Sequence, residues 1–445
     1  MSKKEERMRQ VRRQKMILLA TGIGILLLVV ILGMTLAGNK KKEKESKPQE
    51  KKQEVEEKEE AIPKLQVDLG SLYSENAILI DEKTGKTIAE KNSTKQIYPA
   101  SLTKIMTVLV GAENLKDLQK EVTIPAEIQG ALIENHASVA GFEMGEKVKA
   151  EDLLYGALLP SGADACQALS RLTYGSTKQM VEAMNQKVKS LGLTHSHFQN
   201  VTGLHDDNHY TTVKDMAQIL NHALSNKEFV KVFNAREYTS SSNHHWISSL
   251  QRGKEYKGID ISHIDGGKSG FTDEAQLTFA STMTIDHHQL ILVTAYAKGQ
   301  HSQNHVKDAV HVCDYMTKNF HEIVLYKKDE TIQDYWIFPS FQFQYHYPAY
   351  QDISLLVSRD ISKNDLKFEV EGKNYLLLPQ HKNQQIGKLK VQYQQKSIYE
   401  YPLILTHDIQ SSMMDTIGIY GILICIPVAL VGIIVTIKRK KDKHD

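Results

Sequence analysis

The sequence predicts an α+β protein with one large domain, a small β-rich domain after it, and an apolar helix near each end of the chain. Three observations carry this reading. Strand patterns open the central region, helical patterns fill its middle, and strand patterns return before residue 325, as expected when a sheet is assembled from both ends of a segment. Short alternating or clustered apolar runs between polar breaks then occupy residues 326–410. Two uncharged, mostly apolar runs, at 16–38 and 416–437, lie outside both regions.

The elements follow in order from local composition. Residues 1–15 carry seven basic and two acidic side chains and read as a cytoplasmic tail. Residues 16–38 would extend about 34 Å as a helix, against a hydrocarbon core of roughly 30 Å, and are expected to be a transmembrane helix or uncleaved signal anchor. The run exceeds the roughly 7–15 apolar residues of a cleaved signal, although Thr35-Leu36-Ala37 leaves cleavage as the alternative. Residues 39–62 hold eight Lys and eight Glu and cannot bury a core, so they form a charged linker. In the domain expected at 63–325, residues 77–81 and 86–89 read as a hairpin turning at Gly85. Helical patterns follow at 102–115, 150–172, 177–191 and 213–224, then strands at 277–283 and 289–297 and a helix at 305–319. The second apolar run precedes KRKKDKHD, residues 438–445, a second cytoplasmic tail. Basic residues flanking a span favour the cytoplasmic side, so both termini point inward and everything between the spans lies outside.

Composition removes several function classes. Lys plus Arg number 55 against 53 Asp plus Glu, and this balance argues against a nucleic-acid partner, whose binding domains are visibly basic. The three cysteines, Cys166, Cys313 and Cys425, are odd in number and far apart, which gives no disulfide framework and no Cys-rich metal site.

Chemistry is concentrated in three short motifs. Ser101-Leu102-Thr103-Lys104 opens a helical pattern, and residues three apart share a helix face, which brings the Lys104 amine to the Ser101 hydroxyl. Among the serines only Ser101 has Lys at the third following place. Serine is a poor nucleophile until a base takes its proton, and lysine is a base only when burial or a like charge lowers its pKa. Taken alone, the pair also fits an ordinary Ser N-cap with a surface Lys. In Gly266-Gly267-Lys268-Ser269-Gly270-Phe271-Thr272, a cation, a hydroxyl and a glycine on a strand edge suit an anionic carboxylate, the glycine allowing close backbone approach. A similar Lys83-Thr84-Gly85 sits in a hairpin turn, where Gly serves turn geometry. In Leu159-Pro160-Ser161-Gly162-Ala163-Asp164-Ala165, Ser161 is a proton relay or simply a helix cap.

Together the three places resemble the serine D-alanyl-D-alanine carboxypeptidases, the low-molecular-mass penicillin-binding proteins of the β-lactamase-like superfamily, with their SxxK, SxN and K[ST]G motifs. Residues 200–217, NVTGLHDDNHYTTVKDMA, are similar to the stretch these enzymes carry between the second and third motifs. The resemblance spans about 69–325, and the following β-domain and membrane attachment match the family layout. It implies a β-lactamase/transpeptidase-like domain, an antiparallel sheet with helices plus a helical subdomain. It further implies Ser101 as nucleophile, Lys104 as general base and Ser161 as proton relay. Lys268, Ser269 and Gly270 would hold the substrate carboxylate, the N–H groups of Ser101 and Phe271 would form the oxyanion hole, and Lys214 would contribute electrostatically. The implied partners are peptidoglycan stem peptides, β-lactams as covalent inhibitors and the bacterial plasma membrane, with no cofactor and no metal. One position departs: Ala163 stands where the family usually has Asn, and an alanine side chain neither donates nor accepts.

Three rivals use other chemistry or none. His195, His197, His205 and His209 with Asp206 and Asp207 would suit a zinc peptidase, although no H-E-x-x-H occurs. A β-lactamase would use the same motifs, and Ala163 keeps open a catalytically weak or inactive wall-binding protein. The motifs do not separate carboxypeptidation from transpeptidation, which share the acyl-enzyme.

Overall fold

Residues 77–80, Ala-Ile-Leu-Ile, lack polar alternation because their strand is buried on both faces, and this strand starts the central sheet. The structure, a computed structural model, describes residues 67–126 and 137–441. The apolar run at 16–38, the linker at 39–62 and residues 442–445 lie outside the described residues.

β1 (Asn76–Asp81) and β2 (Thr87–Lys91) pair as a hairpin. At its turn Gly85 has φ +66°, and Thr84 donates its N–H and hydroxyl to Asp81 Oδ1 at 2.7 and 2.9 Å, so Lys83-Thr84-Gly85 serves turn geometry. There follow α1 (Thr103–Asn114), the short pair β3 (Glu121–Thr123) and β4 (Lys147–Lys149), α2 (Ala150–Leu158), α3 (Ala163–Tyr174) and α4 (Thr177–Ser190). Next come α5 (Val213–Ala223), α6 (Lys227–Phe233), the pair β5 (Glu237–Thr239) and β6 (His245–Ile247), and α7 (Ser249–Lys257). The chain then returns to the sheet through β7 (Ile264–Thr272), β8 (Gln276–Ile285) and β9 (His288–Ala297), and leaves it by α8 (Asn304–Asn319). The sheet order β2-β1-β9-β8-β7 is antiparallel throughout, joins the two ends of the segment and leaves β7 at an edge.

Two apolar clusters cover the two sheet faces. Ile78, Ile80, Ile291 and Val293 face the α1–α6 side, while Ala77, Leu79, Leu290 and Leu292 face the side packed by Val306, Val312 and Met316 of α8. A strand buried on both faces reads as a continuous apolar run rather than an alternation.

One helical stretch differs from expectation. The pattern at 150–172 predicts a single helix, but it breaks between α2 and α3. Pro160 has no N–H to continue a helix, and Ser161 takes left-handed backbone at φ +66°, which opens the turn that presents its hydroxyl. The structure also adds α6, α7 and the four short strands β3–β6, in segments with no visible apolar period.

After α8, β10 (Phe320–Tyr326), β11 (Thr331–Phe338), β12 (Gln344–Pro348), β13 (Ile353–Ser358), β14 (Leu366–Glu371), β15 (Tyr375–Leu377), β16 (Gln385–Tyr393) and β17 (Lys396–Ile404) form three small sheets around their own core of Tyr335, Val357, Leu389 and Leu403. β10 pairs with β13 and so joins this second core, although all but its last residue fall before 326. The chain closes in α9 (Met413–Lys441), whose residues Met413–Thr436 are long and apolar enough to cross a membrane and are mostly exposed, apart from a contact around Gly418–Tyr420.

The helix carrying Lys104 lies against α3 with no slack. A Cβ on Gly111 would sit 2.6 Å from Leu169 Cδ2. Gly111→Val is therefore expected to destabilise the protein by about 1–3 kcal/mol through overpacking, read as a lower thermal midpoint. An unchanged midpoint would mean that α1 and α3 separate freely.

Candidate active site

The chain enters α1 through a tight turn over Ala100–Leu102, and that turn holds Ser101 from both sides. Ala100 is buried with φ +48°, and its carbonyl accepts the Thr103 hydroxyl at 2.8 Å. On one side Gly203, at φ +88°, presses so closely that a Cβ there would lie 1.9 Å from Ala100 O. On the other, a Cβ on Gly270 of β7 would lie 2.8 Å from Ser101 N and 2.5 Å from Thr278 Oγ1. Thr278 Oγ1 in turn donates to Pro99 O at 3.2 Å. Two residues without side chains thus let a loop and an edge strand clamp the turn.

Lys104 lies one helical turn on and is only 3% exposed. Its Nζ is 2.8 Å from Ser101 Oγ and donates to Thr202 O at 2.7 Å. Burial lowers its pKa from the ordinary lysine value, opposed by Cys166 and Asp164. Lys268 is as deeply buried; its Nζ donates to Ser161 Oγ at 3.0 Å and to Ser269 O at 2.7 Å. Burial drives its pKa well below normal, helped by the charges of Lys104 and Arg252. The hydrogen-bond partners of both amines are neutral oxygens. Two ammonium groups this deeply buried and this close repel one another, so burial favours the neutral form of the amines.

The turn bearing Ser161 is fixed by Asp164. Its carboxylate accepts from the N–H groups of Ala140 (2.7 Å), Gly141 (3.0 Å) and Phe142 (3.2 Å), while Ala163 N donates to Ser138 O at 2.8 Å. Ala163 itself is 0% exposed, a methyl in the core cluster. Cys166, on the same helix, is buried beside both amines, and burial pushes its thiol up to about 11, so it stays protonated.

The structure thus brings together Ser101, Lys104, Ser161, Lys268 and Gly270. Ser269 and Phe271 are partly exposed on the same edge strand. Lys214 is exposed on the first turn of α5, where its backbone N–H donates to Ser93 O, and no described hydrogen bond links its side chain to the cluster.

The histidines singled out in the sequence take separate roles. His197 Nδ1 meets Asn208 O, and His205 lies near Asp207 and Glu274. His209 is buried, with both nitrogens engaged. Its Nδ1 accepts the Gln199 N–H at 3.3 Å, so Nε2 carries the hydrogen and donates to Thr103 Oγ1 at 2.8 Å. Thr103 then donates to Ala100 O, the carbonyl just before Ser101. Sequence reasoning missed this relay and the roles of Thr202, Gly203, Asp164 and Cys166. The 200–217 stretch was visible, but nothing in it says which carbonyl would meet Lys104.

Comparison with known proteins identifies the family and the fold. Residues 62–299 match the family described as D-alanyl-D-alanine carboxypeptidase, and residues 320–411 match the C-terminal domain of penicillin-binding protein 5. The D-alanyl-D-alanine carboxypeptidase DacF of Bacillus subtilis is 27% identical over 347 residues, covering 76% of this chain and 86% of that protein. DacA of Escherichia coli K12 is 29% identical, covering 76% and 83%. Penicillin-binding protein 5 from Haemophilus influenzae superposes with a TM-score of 0.68 at 23% identity, over 77% of this chain and 99% of that one, a likeness of fold.

The buried histidine makes stability depend on pH. Burial lowers the His209 pKa from 6.5 to about 4, so between those values the unfolded chain binds a proton that the folded chain refuses. Stability attributable to His209 is intact above pH 6.5 and falls as pH drops toward 4, by about 3 kcal/mol in full. His305 shifts the same way, to about 4, and adds to the slope. Denaturant unfolding at neutral pH and near 4.5 is expected to show a smaller acid loss in His209→Gln than in wild type; equal losses would refute the assignment.

Proposed function

The chain belongs to the D-alanyl-D-alanine carboxypeptidase family and is a serine-type hydrolase, and we propose that its chemistry runs through an acyl-enzyme on Ser101. The observation that carries the proposal is the 2.8 Å approach of a buried Lys104 amine to the Ser101 hydroxyl, with Lys268 beside it.

The steps follow from these positions. Neutral Lys104 takes the Ser101 proton as Oγ attacks the carbonyl carbon between the two terminal D-alanines of a peptidoglycan stem pentapeptide. The oxyanion faces the backbone N–H groups of Ser101 and Phe271, donors fixed by the turn and the edge strand before the reaction begins. As the C–N bond breaks, the leaving amine takes a proton passed through Lys104 and the Ser161–Lys268 pair, and D-alanine departs. Water, deprotonated by the same base, then releases the shortened peptide. Lys268 and Ser269 hold the terminal carboxylate, whose charge supplies the counter-ion that Lys268 lacks. A β-lactam is opened by the same attack and leaves its acyl group on Ser101. Acylation needs neutral Lys104, so its rate falls as pH drops through that group's lowered pKa.

In this reading α9 anchors the protein in the bacterial plasma membrane, the site faces outward, both termini are cytoplasmic, and the β-domain holds the site away from the bilayer. The buried Ala163 methyl favours a second reading, a catalytically weak protein that binds stem peptides or β-lactams, because no amide is present there to engage substrate.

The readings part in one assay. With a peptide ending in D-Ala-D-Ala, wild type is expected to release D-alanine and to take a covalent fluorescent-penicillin adduct, and Ser101→Ala should lower both at least ~1000-fold. Release of D-alanine that survives Ser101→Ala excludes the nucleophile, whereas adduct formation without release selects the weak-binding reading.

A further inference from the structure

The β-domain carries an apolar face that its own core does not use. On β11 the side chains alternate, with Tyr335 and Ile337 buried and Trp336 and Phe338 exposed. β15 runs parallel to it in the register Trp336↔Tyr375 and Phe338↔Leu377, so Tyr375 and Leu377, also exposed, share that outer face. The turn from β11 to β12 adds Phe341 and Phe343, 46% and 55% exposed. Polarity changes along the same face. One step up β11 from Trp336, Asp334 pairs with His346 at 2.6 Å; Trp336 itself lies opposite exposed Gln344, and one step down Phe338 and Leu377 lie side by side. Contiguous exposed apolar surface of this kind marks a contact site.

What covers it follows from α9. The Phe338 ring packs edge-on against Tyr420, centroids 6.0 Å apart, and a Cβ on Gly418 would lie 2.7 Å from the Phe341 ring. Both partners lie within the apolar stretch Met413–Thr436. Those 24 residues extend about 36 Å against a hydrocarbon core of roughly 30 Å. A core of roughly 30 Å leaves about 6 Å of excess, so Gly418 and Tyr420, about 8 and 10 Å from Met413, lie just inside the outer edge of the hydrocarbon core. Aromatic rings touching them sit at the boundary between headgroups and acyl chains, where Trp and Tyr concentrate in membrane proteins. Lys373 Nζ lies 5.4 Å from the Tyr375 ring centroid, a cation at the same level and suited to anionic headgroups.

We propose that Trp336, Phe338, Phe341, Phe343, Tyr375 and Leu377 form a second membrane contact that seats the β-domain in the headgroup layer at the foot of α9. The proposal rests on the anchoring role given to α9. It turns the β-domain from a tethered spacer into a rigid foot, which sets both the height and the orientation of Ser101 relative to the bilayer.

The chain's two tryptophans make the test direct, since Trp246 is buried in the catalytic domain and Trp336 is 57% exposed. The full chain is reconstituted in nanodiscs of phosphatidylcholine and phosphatidylglycerol, with or without phospholipids brominated near the headgroup. The expected result is a blue-shifted Trp336 emission that brominated lipid quenches, and the quenchable part should vanish in Trp336→Phe, which leaves D-alanine release unchanged. Disc-bound protein whose Trp336 stays unquenched by bromine and open to aqueous acrylamide would overturn the foot while leaving the anchor intact. Trp336 shielded from both quenchers, with two chains per disc, would assign the face to a second copy and also overturn it. A full chain that fails to enter the discs would remove the anchoring reading and this proposal together.

Discussion

The organisation of this protein depends on keeping an amine dry beside a hydroxyl. Among the described residues Lys104 hydrogen-bonds Ser101 Oγ and Thr202 O, both neutral, and a second buried amine, Lys268, raises the cost of charging both. In water neither lysine would be a base near neutral pH. Burial and mutual repulsion change that, and the fold maintains both.

The means are steric. Three separate chain segments meet at the Ser101 turn: the helix it opens, the loop at Gly203 and the edge strand at Gly270. Two of these contacts tolerate no side chain at all. The break between α2 and α3 brings Ser161 to Lys268, and the Asp164 carboxylate holds that break by gathering three successive N–H groups from residues 140–142. A third brace, His209 to Thr103 to Ala100, fixes the carbonyl immediately before the nucleophile. The Ser101 N–H proposed to receive the oxyanion belongs to the turn that these contacts clamp. The match to known carboxypeptidases covers this core and continues through the β-domain.

The β-domain obeys different physics. Its core is small and its sheets are short, so apolar side chains remain outside, and they gather on one face beside the helix apolar enough to cross a membrane. The same alternation that buries Tyr335 and Ile337 necessarily turns Trp336 and Phe338 outward.

Much was legible before any coordinates. The strand–helix–strand order, the spacing of Ser101 and Lys104 on one helical turn, the turn role of Lys83-Thr84-Gly85 and the apolar run at 416–437 all follow from local periodicity and composition, which act over a few residues. The single helix read across 150–172 failed because a 3.6-residue pattern continues through Pro160 and Ser161 while the backbone does not. β10, α6, α7 and the short strand pairs gave too little period to register. Tertiary structure alone decided that Lys268 reaches Ser161, that Thr202 offers its carbonyl to Lys104, that His209 is buried in its Nε2–H form and that Ala163 is a core methyl. Each of these depends on segments tens to more than a hundred residues apart being pressed together, and on the loss of water that results. A sequence displays its short-range periods openly, but burial, and every pKa that burial moves, belongs to the assembled chain.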